Sequence, residues 1–337
     1  MLSTTAPHKI SRSEADTEPR IGELVRSREN LLLNGWTERR ITAAVKNGAL
    51  FHLRRGWYIE SAERERLWPE QQHLAHVLAV ARDSRGGAAM SHTSAAVLHG
   101  LPLHRMTCVR VQMTTDAPHR ISSAPDVARH VAPLPAADVA VVDGVRCTTL
   151  ARTVFDLIRT LPLEAAVSVA DAAERRMAER LREWDLQSVA AWRREIAARL
   201  AGAGGARGIR KARWVAEFAD GRAQLPGESV SRLQLVRLGF AAPDLQVPVE
   251  GPTGGHYFVD FGLDDVNAWG EFDGKQKYLD EALRSGRSME QVMLEEKQRE
   301  DWIRGRTQRR FARWGFEHIV TASALRDRLS SFGIRAP

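Results

Sequence analysis

The run His256-Tyr-Phe-Val-Asp260-Phe261, followed by Gly270-Glu271-Phe-Asp273-Gly274-Lys275-Gln-Lys277-Tyr278, decides how the C-terminal part of this chain is read. Apolar and polar residues alternate around each acid, which is the pattern of a strand. The spacing predicts one strand over His256 to Leu263 and another over Asn267 to Phe272, with Asp260 on the first facing Glu271 on the next. Glu271 and Asp273 then share a face. Lys275 joins them if the strand runs on past Gly274, and Lys277 comes into play if it does not. Phe258, Val259, Phe261, Trp269 and Phe272 surround these acids, and a carboxylate among such neighbours is costly unless it is paired or holds a metal. Carboxylate oxygens aimed at one point are what Mg²⁺ or Mn²⁺ takes, and a nearby lysine can steady the charge that develops when a phosphodiester is hydrolysed. The expected metal ligands are Asp260, Glu271 and Asp273, with Lys275 or Lys277 as the cation. Two plainer readings stand beside this one. Asp273-Gly274 is a common turn, and Glu228, a further acid just upstream, opens a helix where the dipole favours it anyway.

Working outward, a helix is expected from Glu228 to Leu238, stopped by Gly239, and a strand from Leu245 to Val249. After the acidic strands comes a charged, mostly helical run from Asp280 to Arg310, then a strand from Phe316 to Val320 and a closing helix from Ser323 to Ser331. Helix, three-strand meander, helix, strand, helix makes a mixed α/β domain. Lys297 and Arg299 on the charged helix could lie along DNA phosphates, or form a solvated face held by pairs such as Glu295 with Arg299. Arg304, Arg306, Arg309, Arg310 and Arg313 form a denser candidate stripe for phosphate.

The front of the chain has a different rhythm. Residues 1–20 are polar and read as a disordered lead-in. In 21–60, short helical pieces precede Thr37, which caps a helix ending at Asn47-Gly48; Ala49 to Leu53 and Trp57 to Ile59 then flank the basic turn Arg54-Arg55-Gly56. Helix, turn, helix and a basic hairpin predict a winged helix-turn-helix. Arg39, Arg40 and Lys46 would face the DNA groove or backbone, and Arg54 and Arg55 would sit at the wing tip. A protein-binding winged helix fits the same pattern. Residues 61–205 alternate helices and strands, with Asp143-Gly144 as a hairpin turn, and Gly202 to Gly208 reads as a linker or helix stop before the last domain, 206–337. The fold class expected is therefore multidomain α/β: a winged helix-turn-helix, an α+β middle domain and a mixed α/β C-terminal domain.

Composition sets outer limits. At 337 residues more than one core is expected, and 43% hydrophobic with 27% charged residues is a folded composition. A net charge of +7, carried mostly by arginine, suits a nucleic-acid partner. Cys108 and Cys147 are far apart and outside any CxxC pair, so a zinc ribbon or disulfide scaffold is not expected. His92 and His99 have no third ligand at metal spacing and read as structural. The opening residues have no apolar core of a signal peptide, and no apolar run is long enough to span a membrane. The expectation is a cytoplasmic protein without a membrane partner.

Several of these motifs occur together in known families. Pro226-Gly-Glu-Ser229, Gly239-Phe-Ala-Ala-Pro243, Gln246, Asp260, Glu271-Phe-Asp-Gly274, Lys277-Tyr278 and Glu296-Lys-Gln-Arg-Glu-Asp301 resemble actinobacterial C-terminal domains related to very-short-patch repair endonucleases, of the PD-(D/E)XK superfamily. Leu53-Arg-Arg-Gly-Trp-Tyr58, Ser91-His-Thr-Ser-Ala-Ala96, His99-Gly-Leu-Pro102, and Asp143-Gly144 followed by Thr149-Leu-Ala-Arg-Thr-Val-Phe-Asp156 resemble the AbiEi-type antitoxin domain. The resemblances imply a restriction-endonuclease-like C-terminal domain in a DNA-binding, Mg²⁺-dependent nuclease of defence, repair or toxin–antitoxin context, a reading that Asp260, Glu271 and a nearby lysine favour. The alternatives are an antitoxin-type regulator with an inactive nuclease-like module and a cognate toxin or other protein partner, or an interaction scaffold. The superfamily's acid-x-Lys triplet is Glu271-Phe-Asp273 here, so Asp stands where Lys is expected, and either Asp273-Gly-Lys275 or Lys277 must supply the cation.

Overall fold

A computed structural model describes residues 20–84, 86–116, 124–180, 183–274 and 289–337. The chain is a mixed α/β protein that divides into two compact units, interleaved in sequence. One unit comprises 170–193 and 217–337; the other holds the described residues up to 169 together with 194–216.

In the second of these, α1 (Ile21–Leu24), β1 (Arg26–Ser27), α2 (Arg28–Leu33) and α3 (Glu38–Lys46) precede the hairpin of β2 (Leu50–Arg54) and β3 (Trp57–Glu60). Ser27 caps α2 through Asn30 N–H, and Thr37 caps α3 through Arg40 N–H. Gly48 and Gly56, both at φ +80°, make the turns on either side of β2. The sheet order is β1-β3-β2. Leu31, Ile41, Ala44 and Leu50 form one small core beneath α3, and Val25, Ile59, Ala75 and Ala79 form another.

Next come α4 (Ser61–Arg66), α5 (Pro69–Asp83), β4 (Ala89–Met90), α6 (His92–Leu98), β5 (Val111–Thr115), β6 (Val127–Val131), β7 (Val139–Val142), β8 (Val145–Thr148) and α7 (Leu150–Thr160). The five strands lie in the order β6-β5-β4-β8-β7, and α6 packs against α5, α7 and β5. The β7–β8 turn is Asp143-Gly144, with both residues at positive φ (48° and 76°), as a two-residue hairpin requires. In sequence, α8 (Leu163–Ala178), the short pair β9 (Glu179–Arg180) and β10 (Glu183–Trp184), α9 (Leu186–Gly202) and α10 (Ile209–Phe218) follow. α9 stops at Gly202, where the glycine-rich stretch begins, and the last glycine of that stretch is closely packed. A Cβ on Gly208 would lie 2.2 Å from the Arg159 carbonyl oxygen.

The other unit is built on α11 (Pro226–Arg237), β11 (Asp244–Glu250), β12 (His256–Leu263), β13 (Ala268–Phe272), α12 (Met289–Thr307), β14 (Arg310–Trp314) and α13 (Ala322–Ser330). The strands lie in sequence order, antiparallel from β11 to β13, with β14 parallel to β13. Helices cover both faces. Val230 and Leu235 of α11 and Leu325 and Leu329 of α13 pack with Phe261, Phe272 and Trp314 on one; Ile303 of α12 packs with Val249, Val259, Trp269 and Phe311 on the other.

The last strand is Arg310–Trp314, not Phe316–Val320, which is a turn. In sequence, Arg310 and Arg313 read as part of a phosphate-facing stripe that begins on the helix, which hides the strand. In the fold, Phe311, Ala312 and Trp314 are buried, while the Arg310 guanidinium turns to the Val266 and Gly333 carbonyls.

Candidate functional site

The site is built where β12 and β13 part. Their ladder runs from Leu263↔Ala268 to Phe261↔Gly270 and no further, so Asp260 is the first residue beyond it, in the position that would face Glu271. There the side chain replaces the backbone: Asp260 Oδ2 accepts the Phe272 N–H at 2.9 Å. Its other oxygen accepts Gln246 Nε2 at 3.2 Å, and the same Nε2 lies 3.4 Å from Glu228 Oε2. Glu228 is 3% exposed, in the first turn of α11, and that oxygen also accepts Gln224 N–H at 2.7 Å. Carboxylates from a helix and a strand are thus joined through one amide group.

Two glycines allow this closeness. A Cβ on Gly227 would meet the Phe272 ring at 2.1 Å, and one on Gly270 would meet the Trp314 ring at 2.3 Å. Each immediately precedes an acid, Glu228 or Glu271.

Glu271, on β13, is 7% exposed and takes a different set of partners. Arg299 of α12 donates to Oε1 at 2.6 Å, and Arg313, its register neighbour on β14, lies 3.0 Å from Oε2. Burial pushes the Glu271 carboxyl above its ordinary range; Arg299 opposes this, Asp260 adds to it and Arg313 opposes it again. Arg299 also donates to the Phe258 carbonyl and meets Glu296 at 3.5 Å, while Arg313 reaches Glu296 at 3.0 Å and Glu300 at 3.1 Å. Three acids, Glu271, Glu296 and Glu300, thus share the two guanidiniums.

Asp273 lies just past β13, where its N–H donates to the Trp314 carbonyl at 2.8 Å. Among the described residues, no three of the His, Cys, Asp and Glu side chains are grouped so as to hold a metal ion, so Asp260, Glu271 and Asp273 are not brought to one point. What comes together instead is Glu228 with Asp260, with Glu271 beside them and clasped by arginine. Lys275 and Lys277 lie outside the described residues.

Of the residues expected to face DNA, Arg39, Arg40, Lys46 and Arg55 are exposed, with the Arg40 guanidinium 4.0 Å from the centre of the Trp36 ring. Arg54 is not at a free tip. Its Nε lies 3.4 Å from Asp83 and 3.5 Å from Asp126, and the side chain is only 19% exposed. Lys297 is exposed, but Arg299 is withdrawn from phosphate by Glu271. The expected arginine stripe is likewise dispersed: Arg304 pairs with Glu300, Arg306 with Glu250, Arg309 with Asp264 and Arg313 with Glu271. His99 Nε2 donates to the Thr148 carbonyl, 2.8 Å away in the interior, as a structural histidine does. Trp192, Trp269 and Trp314 are buried; Trp302, more exposed, has its indole N–H on the Glu250 carbonyl.

Sequence reasoning named Gln246 only within a resemblance and gave it no role, and it did not foresee the clasp of Arg299 and Arg313. The one available signal was an arginine, Arg313, alternating with buried Ala312 and Trp314, which is unusual unless an acid waits for it inside.

No family model matches the chain. Two mycobacterial proteins are similar to it: "Uncharacterized protein MT2308" of Mycobacterium tuberculosis strain CDC 1551 / Oshkosh and "Uncharacterized protein Rv2248" of strain ATCC 25618 / H37Rv. Each is 30% identical over 237 residues, which cover 70% of this chain and 78% of the relative. Identity at that level over more than two thirds of both chains places this protein in one family with these mycobacterial proteins.

Proposed function

We propose that the chain is a DNA-directed protein in which the elements from α2 to β3 act as a winged helix-turn-helix and the sheet β11–β14 carries a metal-dependent nuclease site. The observation that carries the reading is the meeting of Glu228 and Asp260, from separate elements, through one amide beside Glu271. The order helix, three-strand meander, crossover helix, parallel strand supports it, because it places those acids at the parting of two strands. The donor set suits Mg²⁺ or Mn²⁺: the partners of Asp260 and Glu228 include the N–H groups of Gln246, Phe272 and Gln224, neutral donors that a hard cation can replace at oxygen. A bound ion would activate water and neutralise the scissile phosphate. Glu228 and Asp260 would hold it, and Glu271 would join by yielding one arginine. Lys275 or Lys277 would be the site's lysine. No helix among the described residues is long and apolar enough to cross a membrane.

Asp260→Asn tests it. The variant should bind duplex DNA as the wild type does, since affinity comes from basic residues elsewhere. It should lose Mn²⁺ binding by titration calorimetry, and cleavage should fall by on the order of 10²- to 10³-fold or more. A second reading, a regulator of antitoxin type with a cognate toxin, is favoured by the double arginine clasp on Glu271 and by Asp273 at the expected lysine position. It wins if the wild type cuts no duplex, nicked, mismatched or single-stranded DNA with either metal yet binds a promoter-like duplex.

A further inference from the structure

The strand β11 turns over at one residue. Side chains two apart on a strand share a face, yet Leu245 packs with Phe261 and Leu263 while Val247 and Val249 pack with Val259 and Trp269 on the opposite side. Between them Gln246 has φ +52°, left-handed backbone that a residue other than glycine adopts in mid-strand only where its surroundings hold it there. β12 changes face at the same level, between Val259 and Phe261, and here, at the parting of β12 and β13, the Gln246 amide meets both Glu228 and Asp260.

The orientation of that amide follows from charge. Two carboxylate oxygens face it, so the NH₂ with its two hydrogens must point at them and the carbonyl must point away. Nε2 accordingly lies 3.2 Å from Asp260 Oδ1 and 3.4 Å from Glu228 Oε2, while Oε1 accepts Nε2 of the exposed Gln224 at 3.0 Å. A neutral donor bridges two anions, which is the task of a cation.

We infer that Gln246 is the positioning residue of this acid site, holding the Glu228 and Asp260 carboxylates at cation-binding separation and giving way to a divalent cation by rotating its amide. Rotation releases Gln224 and presents Oε1, a neutral oxygen of the kind that Mg²⁺ and Mn²⁺ accept as a ligand. The inference rests on the proposed reading of these acids as a cation site.

Two variants of the full chain test it, with Mn²⁺ as the probe, by calorimetric Kd and by melting temperature in EDTA against excess Mn²⁺. Asparagine tolerates left-handed backbone but is too short to reach both carboxylates, so Gln246→Asn should fold and bind Mn²⁺ about 10-fold more weakly. Gln246→Glu puts a third carboxylate where the donor stood. It should melt below the wild type in EDTA, bind Mn²⁺ about 10-fold more tightly, and recover its melting temperature when Mn²⁺ is added. A wild type that binds Mn²⁺ together with two variants of unchanged Kd, whose melting temperatures fall equally with and without the metal, overturns the role of Gln246 alone. A wild type that binds no Mn²⁺ overturns the cation site and this inference with it.

Discussion

The two compact units put their positive charge to different uses. In the unit of 170–193 and 217–337, arginines turn inward or along the surface onto acids. Arg232 forks onto both oxygens of Asp171 at 2.9 Å, Arg299 and Arg313 hold Glu271, and Arg309 meets Asp264. In the other unit, Arg39, Arg40, Lys46 and Arg55 stand in solvent around α3 and the β2–β3 hairpin. What that unit buries is mainly neutral: burial lowers His73 to about 4 and His92 to about 3, although Arg152 and Arg199 on Asp138 make a charged exception. A net charge of +7 is therefore not a map of a phosphate-binding surface. Partner acids decide which arginines remain available, and those partners are distant in sequence.

The deepest inward arginine should show the largest effect. Asp171 and Arg232 have side chains 1% and 7% exposed, and Arg232 also donates to the Phe218 carbonyl. Arg232→Met leaves Asp171 as a buried charge without its counter-ion, at a cost of about 3–5 kcal/mol by urea unfolding. Adding Asp171→Leu should restore much of that, because the penalty lies in the orphaned charge more than in the lost pair. A single variant within about 1 kcal/mol of the wild type would show that these inward pairs do not hold the unit together.

The second test asks the neutral interior to take up charge. His73 is buried against Ser94 Oγ at 3.1 Å, and burial first, then neighbouring His76, lowers its pKa from 6.5 to about 4. Between those values the unfolded chain holds a proton that the folded chain does not. The stability is thus fully present above pH 6.5 and is lost progressively as the pH falls toward 4. The loss should be on the order of 2–3 kcal/mol for this residue. Urea midpoints at pH 7 and pH 4.5 for the wild type and His73→Gln would show it, with the variant's acid dependence shallower in that window. Equal slopes would assign the acid sensitivity elsewhere.

How much of this was legible beforehand depends on how local the cause is. The strand His256–Leu263 could be read to its ends, and so could the Asp143-Gly144 turn, because alternation and turn chemistry are written within a few residues. The acids Asp260 and Glu271 were legible as strand residues for the same reason. Their partners were not. Arg299 comes from a helix 28 residues further on, and Gln246 meets Asp260 where both β11 and β12 change face, with Gln246 at φ +52°. Strand β14 was hidden by its arginines, whose counter-charges lie on other elements. Gly202 to Gly208 looked like a linker because glycine signals both flexibility and close approach, and at Gly208 it is the Arg159 carbonyl that requires it.

The smallest effect on stability, and the sharpest on function, separates two neighbours at the hairpin tip. Arg54 is engaged by Asp83 and Asp126, whereas Arg55 is exposed. If the hairpin touches DNA as proposed, the free guanidinium is the one that releases a counterion on binding. Arg55→Ala should leave unfolding within about 0.5 kcal/mol of the wild type. It should also make the slope of log K against log salt shallower by about 1 for duplex DNA, the contribution of one phosphate contact. Arg54→Ala should do the reverse, lowering stability by freeing Asp83 and Asp126 while leaving the salt slope alone. Slopes measured from 50 to 200 mM salt for both variants decide the matter. A changed slope for Arg54→Ala would mean that its acid partners give way to phosphate. An unchanged slope for Arg55→Ala would take the hairpin off the DNA and leave α3, with Arg39, Arg40 and Lys46, as the face to be tested for a protein partner.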